Sequence, residues 1–375
     1  MMSFFRTSVA ALDWLLLGST LPLLLAGWLT MNSFGAENYF ADRQLLWIGV
    51  AILVFFLCSQ VDWRFLKRPW ILFGLYLVAN AFLVLLFVGA QIKGTQSWFH
   101  LGSIAVEPGD FVNLLVVILL AKYFSRRHVE IANIRHVLIS GIYALIPFVL
   151  VLLQPNFGSA IVIVFIWLGM VLVSGIPKKY LFAVLGAGLV AFCLLWLFVF
   201  KPYQKNRILN FVDPMRDVRG SGYNAFQSQI AVGSGQLVGK GVGNGTQSRL
   251  QFLPEYQTDF IVAAFAEEWG FVGVLIIFVS FAIIIWRALT IAYLGASNFE
   301  MLYGMGFVML LVSHFVINVG MNVGLLPVTG ITVPFMSYGG SHLLVEFIGL
   351  GILMSMRRYA RAAHRDDMKN EFLGI

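Results

Sequence analysis

The chain has 375 residues, of which 11% are charged and 59% hydrophobic, with a formal net charge of +7 and a mean hydropathy of +0.85. Soluble domains carry about 25% charged residues, so a soluble globular protein is excluded, as are disordered, fibrous and disulfide-stapled chains. Cys58 and Cys193 both sit in apolar runs and read as small core hydrophobes rather than a disulfide framework.

The apolar runs are continuous, mostly about 18 to 22 residues, where a membrane β-barrel would alternate over strands of ~10 residues. The expected fold is therefore an all-α polytopic membrane protein, a single integral-membrane domain over residues 1–375. About ten spans are predicted, at roughly 12–31, 44–61, 70–92, 110–124, 136–153, 157–175, 180–201, 260–289, 302–323 and 341–357. The first run is too long for a typical signal-peptide core and lacks an evident cleavage site, so it is expected to stay as an anchor.

Charge orients the spans. With the N-terminus inside, sixteen of the 25 Lys and Arg fall on inside segments, and the short outside loops hold only Arg43 and Lys93. The positive-inside rule is then satisfied at every short loop, with both termini cytoplasmic. It also accounts for the basic C-terminal tail, so no nucleic-acid partner is expected.

The first substantial outside loop runs from Lys93 to Asp110 and includes Trp98 and Phe99, which suit an interfacial aromatic belt. The one long outside loop, about 202–258 between spans 7 and 8, is too rich in aromatics for disorder and is expected to fold over the membrane surface as a lid or site. Its glycine-rich run, Gly233 to Gln247, fails the Walker phosphate-loop pattern twice, with Ser234 for the first glycine and Gly241 after Lys240. Glycines and Lys240 still suit an anion, and a flexible turn-rich loop remains the alternative. Lys201, Lys205, Arg207, Arg216, Arg219, Lys240 and Arg249 make the loop basic, against Asp213, Asp217 and Glu255. A lipid headgroup or lipid-linked phosphate explains that excess, and a solvated surface is the bland reading.

Pro254 breaks the chain and an apolar span begins at Phe260, which puts Asp259 at a helix N-terminus. It can be an N-cap or a general base facing an arriving headgroup; residue chemistry alone leaves both open. Glu267 and Glu268 lie inside the span, where a carboxylate is costly. On a continuous helix they diverge by 100° and cannot both share the face of Asp259. Structural polar contacts within the membrane are expected for Glu267, Glu268, Asp110 and Glu346, and interhelical hydrogen bonds for His314, Asn318 and Asn322. The last outside loop, Pro327 to Ser341, carries two prolines and three glycines before its final serine. It reads as a broken or re-entrant segment that protein must cover, which also keeps a transporter reading open.

Taken in order, these segments resemble the SEDS family of bacterial cell-shape, division and sporulation proteins. The resemblance runs over nearly the whole chain. It is carried by Gly94 to Gly102, Gln154-Pro155-Asn156-Phe157-Gly158-Ser159-Ala160, Arg207 with Asp213-Pro214, Gly220 to Gln227, Gly239-Lys240-Gly241, Phe252 to Phe260, Glu267-Glu268-Trp269-Gly270 and Pro327 to Ser341. The short N-terminal tail and the Glu267-Glu268-Trp269 wording look more like the elongation branch (RodA) than the division branch (FtsW).

That resemblance implies a peptidoglycan glycosyltransferase that polymerises lipid II at the outer face of the cytoplasmic membrane and releases undecaprenyl pyrophosphate. It implies a class B penicillin-binding protein as partner, alongside other elongation-complex membrane proteins. A precursor flippase and a non-catalytic scaffold are the rival classes. The family's catalytic aspartate maps onto Asp259. Lys240, Arg207, Trp98, Glu255, Thr258, Ser337 and Tyr338 are the expected substrate-binding residues. A divalent cation, Mg or Mn, could assist the pyrophosphate, but the sequence shows no dedicated ligand cluster. Two departures stand out. Where the family commonly has Gln-Pro-Ser-Glu and a lysine three residues on, this chain has Glu107-Pro108-Gly109-Asp110 and Asn113, which leaves a charge pair there without its cation. The basic residue often found before the tryptophan is replaced by Ser97.

Overall fold

The computed structural model describes residues 12–34, 39–89, 95–102, 104–126, 134–213, 221–250 and 252–373. Lys93, Arg216, Asp217 and Arg219 lie outside the described residues. The helices are α1 (Trp14–Phe34), α2 (Tyr39–Gln60), α3 (Pro69–Leu85), α4 (Pro108–Ser125), α5 (Ile134–Leu153), α6 (Phe157–Val173), α7 (Lys178–Leu194), α8 (Pro202–Val212), α9 (Ser221–Ser234), α10 (Thr246–Arg249), α11 (Ile261–Tyr293), α12 (Asn298–Asn322) and α13 (Gly340–Leu373). A small antiparallel ribbon, β1 (Phe99–Leu101) against β2 (Ile104–Val106), pairs Phe99 with Val106 and is the one departure from an all-α chain among the described residues.

Each of the ten expected spans has its helix. Eight are long and apolar enough to cross a membrane, and α6 is a shorter apolar helix. Helix α13 packs along α2, the far part of α11 along α1, and α12 against α4, α6 and α11. These contacts bury one continuous apolar core from Leu12 to Met356. The outward faces of α1, α2, α3 and α5 expose Leu25, Leu53, Leu77 and Leu145, the pattern of helices solvated by lipid. Helix α7 has no buried residue at all.

The two ends of the bundle differ. At one end, Lys67 pairs with Glu300 at 3.0 Å, Asp13 joins Arg287 and Arg357, and Arg358 bonds Gln60. This end holds the basic inter-helix segments. At the other end α11 begins, α12 ends and the 202–258 segment folds.

That segment is not only a cover. Gly270 has φ 63° and ψ −164°, so it breaks α11 in two. The part from Phe271 to Tyr293 alone is about 34 Å of helix at 1.5 Å per residue, enough for the ~30 Å hydrocarbon core. The part before it, Ile261–Trp269, is a separate short helix. The glycine-rich run plugs the break. Lys240 N donates to Glu267 O and Gly241 N to Glu268 O, both at 3.0 Å. Phe271 N and Val272 N donate back to Gln236 O and Leu237 O. Such contacts need bare backbone: a Cβ at Gly270 would lie 2.3 Å from Gly239 N, and one at Gly239 would lie 2.0 Å from Glu268 O.

Replacing Gly270 by alanine therefore forces a positive φ on an L side chain and drives it into Gly239. The expected cost is at least about 1–3 kcal/mol. Thermal unfolding of detergent-purified protein should show a clearly lowered midpoint for Gly270→Ala. Gly74→Ala on α3, where nothing lies within 4 Å, should melt like the unsubstituted chain.

Candidate active site

The site is built where α11 starts. Residues 253–259 form a turn in which Thr258 N, Asp259 N and Phe260 N all donate to Glu255 O, and Glu255 itself takes φ 53°. The N-cap position belongs to Phe260, not to Asp259. The first turn of α11 is capped from another helix instead: Asn322 Oδ1 accepts from Ala263 N at 3.1 Å. The capping role open to Asp259 in the sequence is thus carried by Asn322.

Asp259 is held by its backbone. Its carbonyl accepts from Asn318 Nδ2 and from Asn322 Nδ2, each at 2.9 Å. The two asparagines lie one turn apart on α12, and Asn318 Nδ2 also reaches Ile331 O at 2.6 Å. One helix face therefore fastens the start of α11 to the 327–341 segment. The asparagines do the interhelical work expected of them.

The 327–341 segment is irregular and buried, with Val333, Phe335, Met336 and Ser337 almost fully covered. It is satisfied from all sides. Ser337 Oγ donates to Thr258 O at 2.7 Å and accepts from Val333 N. Tyr338 N donates to Gln257 O at 2.8 Å. Gln44 Nε2 on α2 donates to Ser337 O. Gly330, at φ 77°, passes so close to Asp259 that an added Cβ would lie 3.4 Å from its Oδ2.

On the far side of that segment Arg207 Nη1 donates to Thr329 O at 3.3 Å. Thr329 and Gly330 are consecutive, so a guanidinium and the half-buried Asp259 carboxylate flank one short stretch of backbone. Arg207 also lines an open pocket with Asn210, Phe211, Gln229 and Pro327. A second cation, Arg43, hydrogen-bonds Tyr338 and lies 4.4 Å from the Tyr39 ring centroid.

The expected residues thus divide. Asp259, Glu255, Thr258, Ser337, Tyr338 and Arg207 come together. Lys240 does not join them. Its Nζ is 2.6 Å from Glu267 Oε1 and 3.0 Å from Thr246 Oγ1. Glu267, wholly buried, also accepts from Thr246 N at 2.9 Å and Gln247 N at 3.1 Å. Glu268 Oε1 accepts from Gly243 N. Lys240 is the counter-ion of Glu267, which lies near the end of the short helix that begins after Asp259. Trp98 is half-buried in the ribbon loop, where Gln96 N donates to Gln154 O and Phe99 packs edge-on against Phe82.

The acid left without a lysine in the sequence has a histidine beside it. Asp110 Oδ1 lies 3.2 Å from His342 Nδ1, and His342 Nε2 lies 2.9 Å from Glu346 Oε1. The neighbouring Glu107 accepts from Asn156 Nδ2 at 2.8 Å and Ser159 Oγ at 3.2 Å. Glu107 precedes α4. Burial, with the Asp110 carboxylate beside it, pushes its carboxyl up to about 8. Among the described residues, no three His, Cys, Asp or Glu side chains converge as ligands for a metal ion.

A carboxyl raised from 4.5 to about 8 binds its proton more tightly in the folded state than in the unfolded one. Its stabilising contribution is whole below pH 4.5 and is lost as pH rises through 8. Glu107→Gln, a neutral mimic, should therefore melt with the parent chain near pH 5 and above it at pH 9. Melting curves at the two pH values check this.

Residues 7–362 match the family model of FtsW, RodA and SpoVE, described as cell cycle proteins. The chain is 35% identical to Stage V sporulation protein E of Bacillus subtilis, over 93% of this chain and 98% of that one. It is 34% identical to peptidoglycan glycosyltransferase MrdB of Escherichia coli K12, over 88% and 89%. A solved chain of a peptidoglycan synthase complex that coordinates polymerization and crosslinking superposes with a TM-score of 0.80 at 28% identity, covering 93% of this chain and 98% of that one.

Proposed function

Because the chain belongs to the FtsW, RodA and SpoVE family of cell cycle proteins and is a membrane-embedded peptidoglycan glycosyltransferase, we propose that Asp259 is the general base with which it polymerises lipid II. The observation that carries this reading is the setting of Asp259. Its backbone is clamped by two asparagines while its carboxylate faces Gly330 at the helix end opposite the basic inter-helix segments.

A sugar hydroxyl is a weak nucleophile at neutral pH. A carboxylate within hydrogen-bond reach accepts its proton as the oxygen attacks the anomeric carbon of the lipid-linked chain. The C–O bond to undecaprenyl pyrophosphate breaks as the new glycosidic bond forms, and the electron pair leaves with the diphosphate. Attack opposite the leaving group inverts the anomeric centre. Charge accumulates on the diphosphate oxygens, where a fixed cation stabilises the transition state. Arg207, at Thr329 beside the Asp259 stretch, is the residue for that task. Glu255, Thr258, Ser337 and Tyr338 shape the turn that receives the sugar.

The positive-inside charge pattern supports placing this end at the outer face of the cytoplasmic membrane. The likeness to a chain from a synthase complex supports a class B penicillin-binding protein as partner. The likeness to MrdB supports a place in cell elongation beside other membrane proteins of that machinery.

The test is glycan formation from labelled lipid II by the purified full chain. Asp259→Asn should lower the rate by about 10²-fold or more while melting like the parent. Full activity in that variant would remove Asp259 from the mechanism. Arg207→Gln should lower kcat by about tenfold or more. Lys240→Gln should act on the melting temperature, since it strips Glu267 of its counter-ion.

A further inference from the structure

Away from Asp259, a group of titratable side chains meets in the interior between α4, α12 and α13. His342 stands at its centre. Asp110 and Glu107 face it from the start of α4, Glu346 from its own helix one turn on, and His314 from α12 with ring centroids 4.7 Å apart. Asp110, Glu346 and His314 line a small cavity with His342 and Asn113. The transfer mechanism uses none of them.

His342 Nδ1 is in hydrogen-bond geometry with Asp110 Oδ1 at 3.2 Å, whereas Nε2 lies 2.9 Å from Glu346 Oε1 as an ion-pair contact in which neither atom makes a hydrogen bond. A neutral imidazole donates from one nitrogen only, whereas an imidazolium donates from both. Two buried acids stand within ion-pair distance of the one ring, so a protonated His342 would serve both. Without it, two carboxylates would be left buried and uncompensated, which is strongly destabilising.

The same two carboxylates hold both ends of the segment that runs past Asp259. The second oxygen of Glu346 accepts from Phe335 N at 2.9 Å, and Phe335 sits at φ 61°, a conformation an L residue keeps only under external constraint. At the other end, Ser341 Oγ donates to Asp110 Oδ2 and accepts from Glu107 N. Between these two anchors lie Ser337 and Tyr338, which grip Thr258 O and Gln257 O directly before Asp259.

We propose that His342 is a positioning residue for glycosyl transfer: its imidazolium binds Asp110 and Glu346 together and so fixes the 335–341 segment against which Asp259 stands. The proposal rests on Asp259 being the base.

Asn113 supplies the test. It lies one turn after Asp110 on α4, lines the same cavity, and neither its amide nitrogen nor its oxygen has a hydrogen-bond partner. A lysine there can bring a cation to Asp110 from Asp110's own helix, in place of the one from α13. Rates on labelled lipid II and melting temperatures are measured for full-length His342→Ser, for His342→Ser with Asn113→Lys, and for His342→Ser with Asn113→Met, which fills the space without the charge. Asp259→Asn serves as control.

His342→Ser should lose about tenfold or more in kcat with little change in KM, as displacement of a reacting group does. The lysine double variant should return to within about threefold of the parent, and the methionine one should not. A His342→Ser chain at the parental rate would overturn the proposal. So would lysine and methionine variants that behave alike, whether both recover or both fail to fold. Activity retained in Asp259→Asn would instead remove the base, a result separable from all of these.

Discussion

A bilayer offers the backbone no water, so every interruption of a helix inside it has to be answered by the protein. This chain interrupts its helices at three places close together: at Gly270, at the turn before Ile261, and through residues 327–339. Each break frees backbone donors and acceptors, and each set is met by a different device. Gly270 is met by the backbone of the glycine-rich run, the turn by two asparagine side chains, and the long segment by Ser337, Gln44 and Glu346. The irregular backbone leaves the half-buried Asp259 at this end of the bundle, and the polar residues around it make that irregularity tolerable.

This division clarifies the acidic residues. Glu267, Glu268 and Glu346 all accept backbone N–H groups from broken segments. They are costly in an apolar setting, but leaving the N–H groups unpaired would be costly as well. Asp259 differs because its main-chain carbonyl is gripped by two asparagine amides.

The spans were legible because they rest on apolar run length, which survives any tertiary arrangement. The 327–341 break was legible from Pro327, Gly330 and Pro334, and Asp259 from its place just before an apolar run. The partner of Lys240 was not, since Glu267 lies 27 residues on and the break that brings them together is one glycine in an otherwise helical pattern. Trp98 gave a signal of interface only. The short ribbon between Phe99 and Val106 carried too few residues for a strand pattern. His342 was missed although His342 and Glu346 stand four apart in an apolar run. That spacing puts both on one face, and it could have been read as a pair supplying the cation that Asn113 does not.

The grip of Asn318 and Asn322 on residue 259 has one more consequence. They hold a carbonyl oxygen, which every amino acid possesses. The grip of these two amides therefore does not depend on which side chain stands at that position. This share of the architecture is separable from the chemistry of the side chain: the two amides keep their acceptor through any substitution at 259 that leaves the backbone in place.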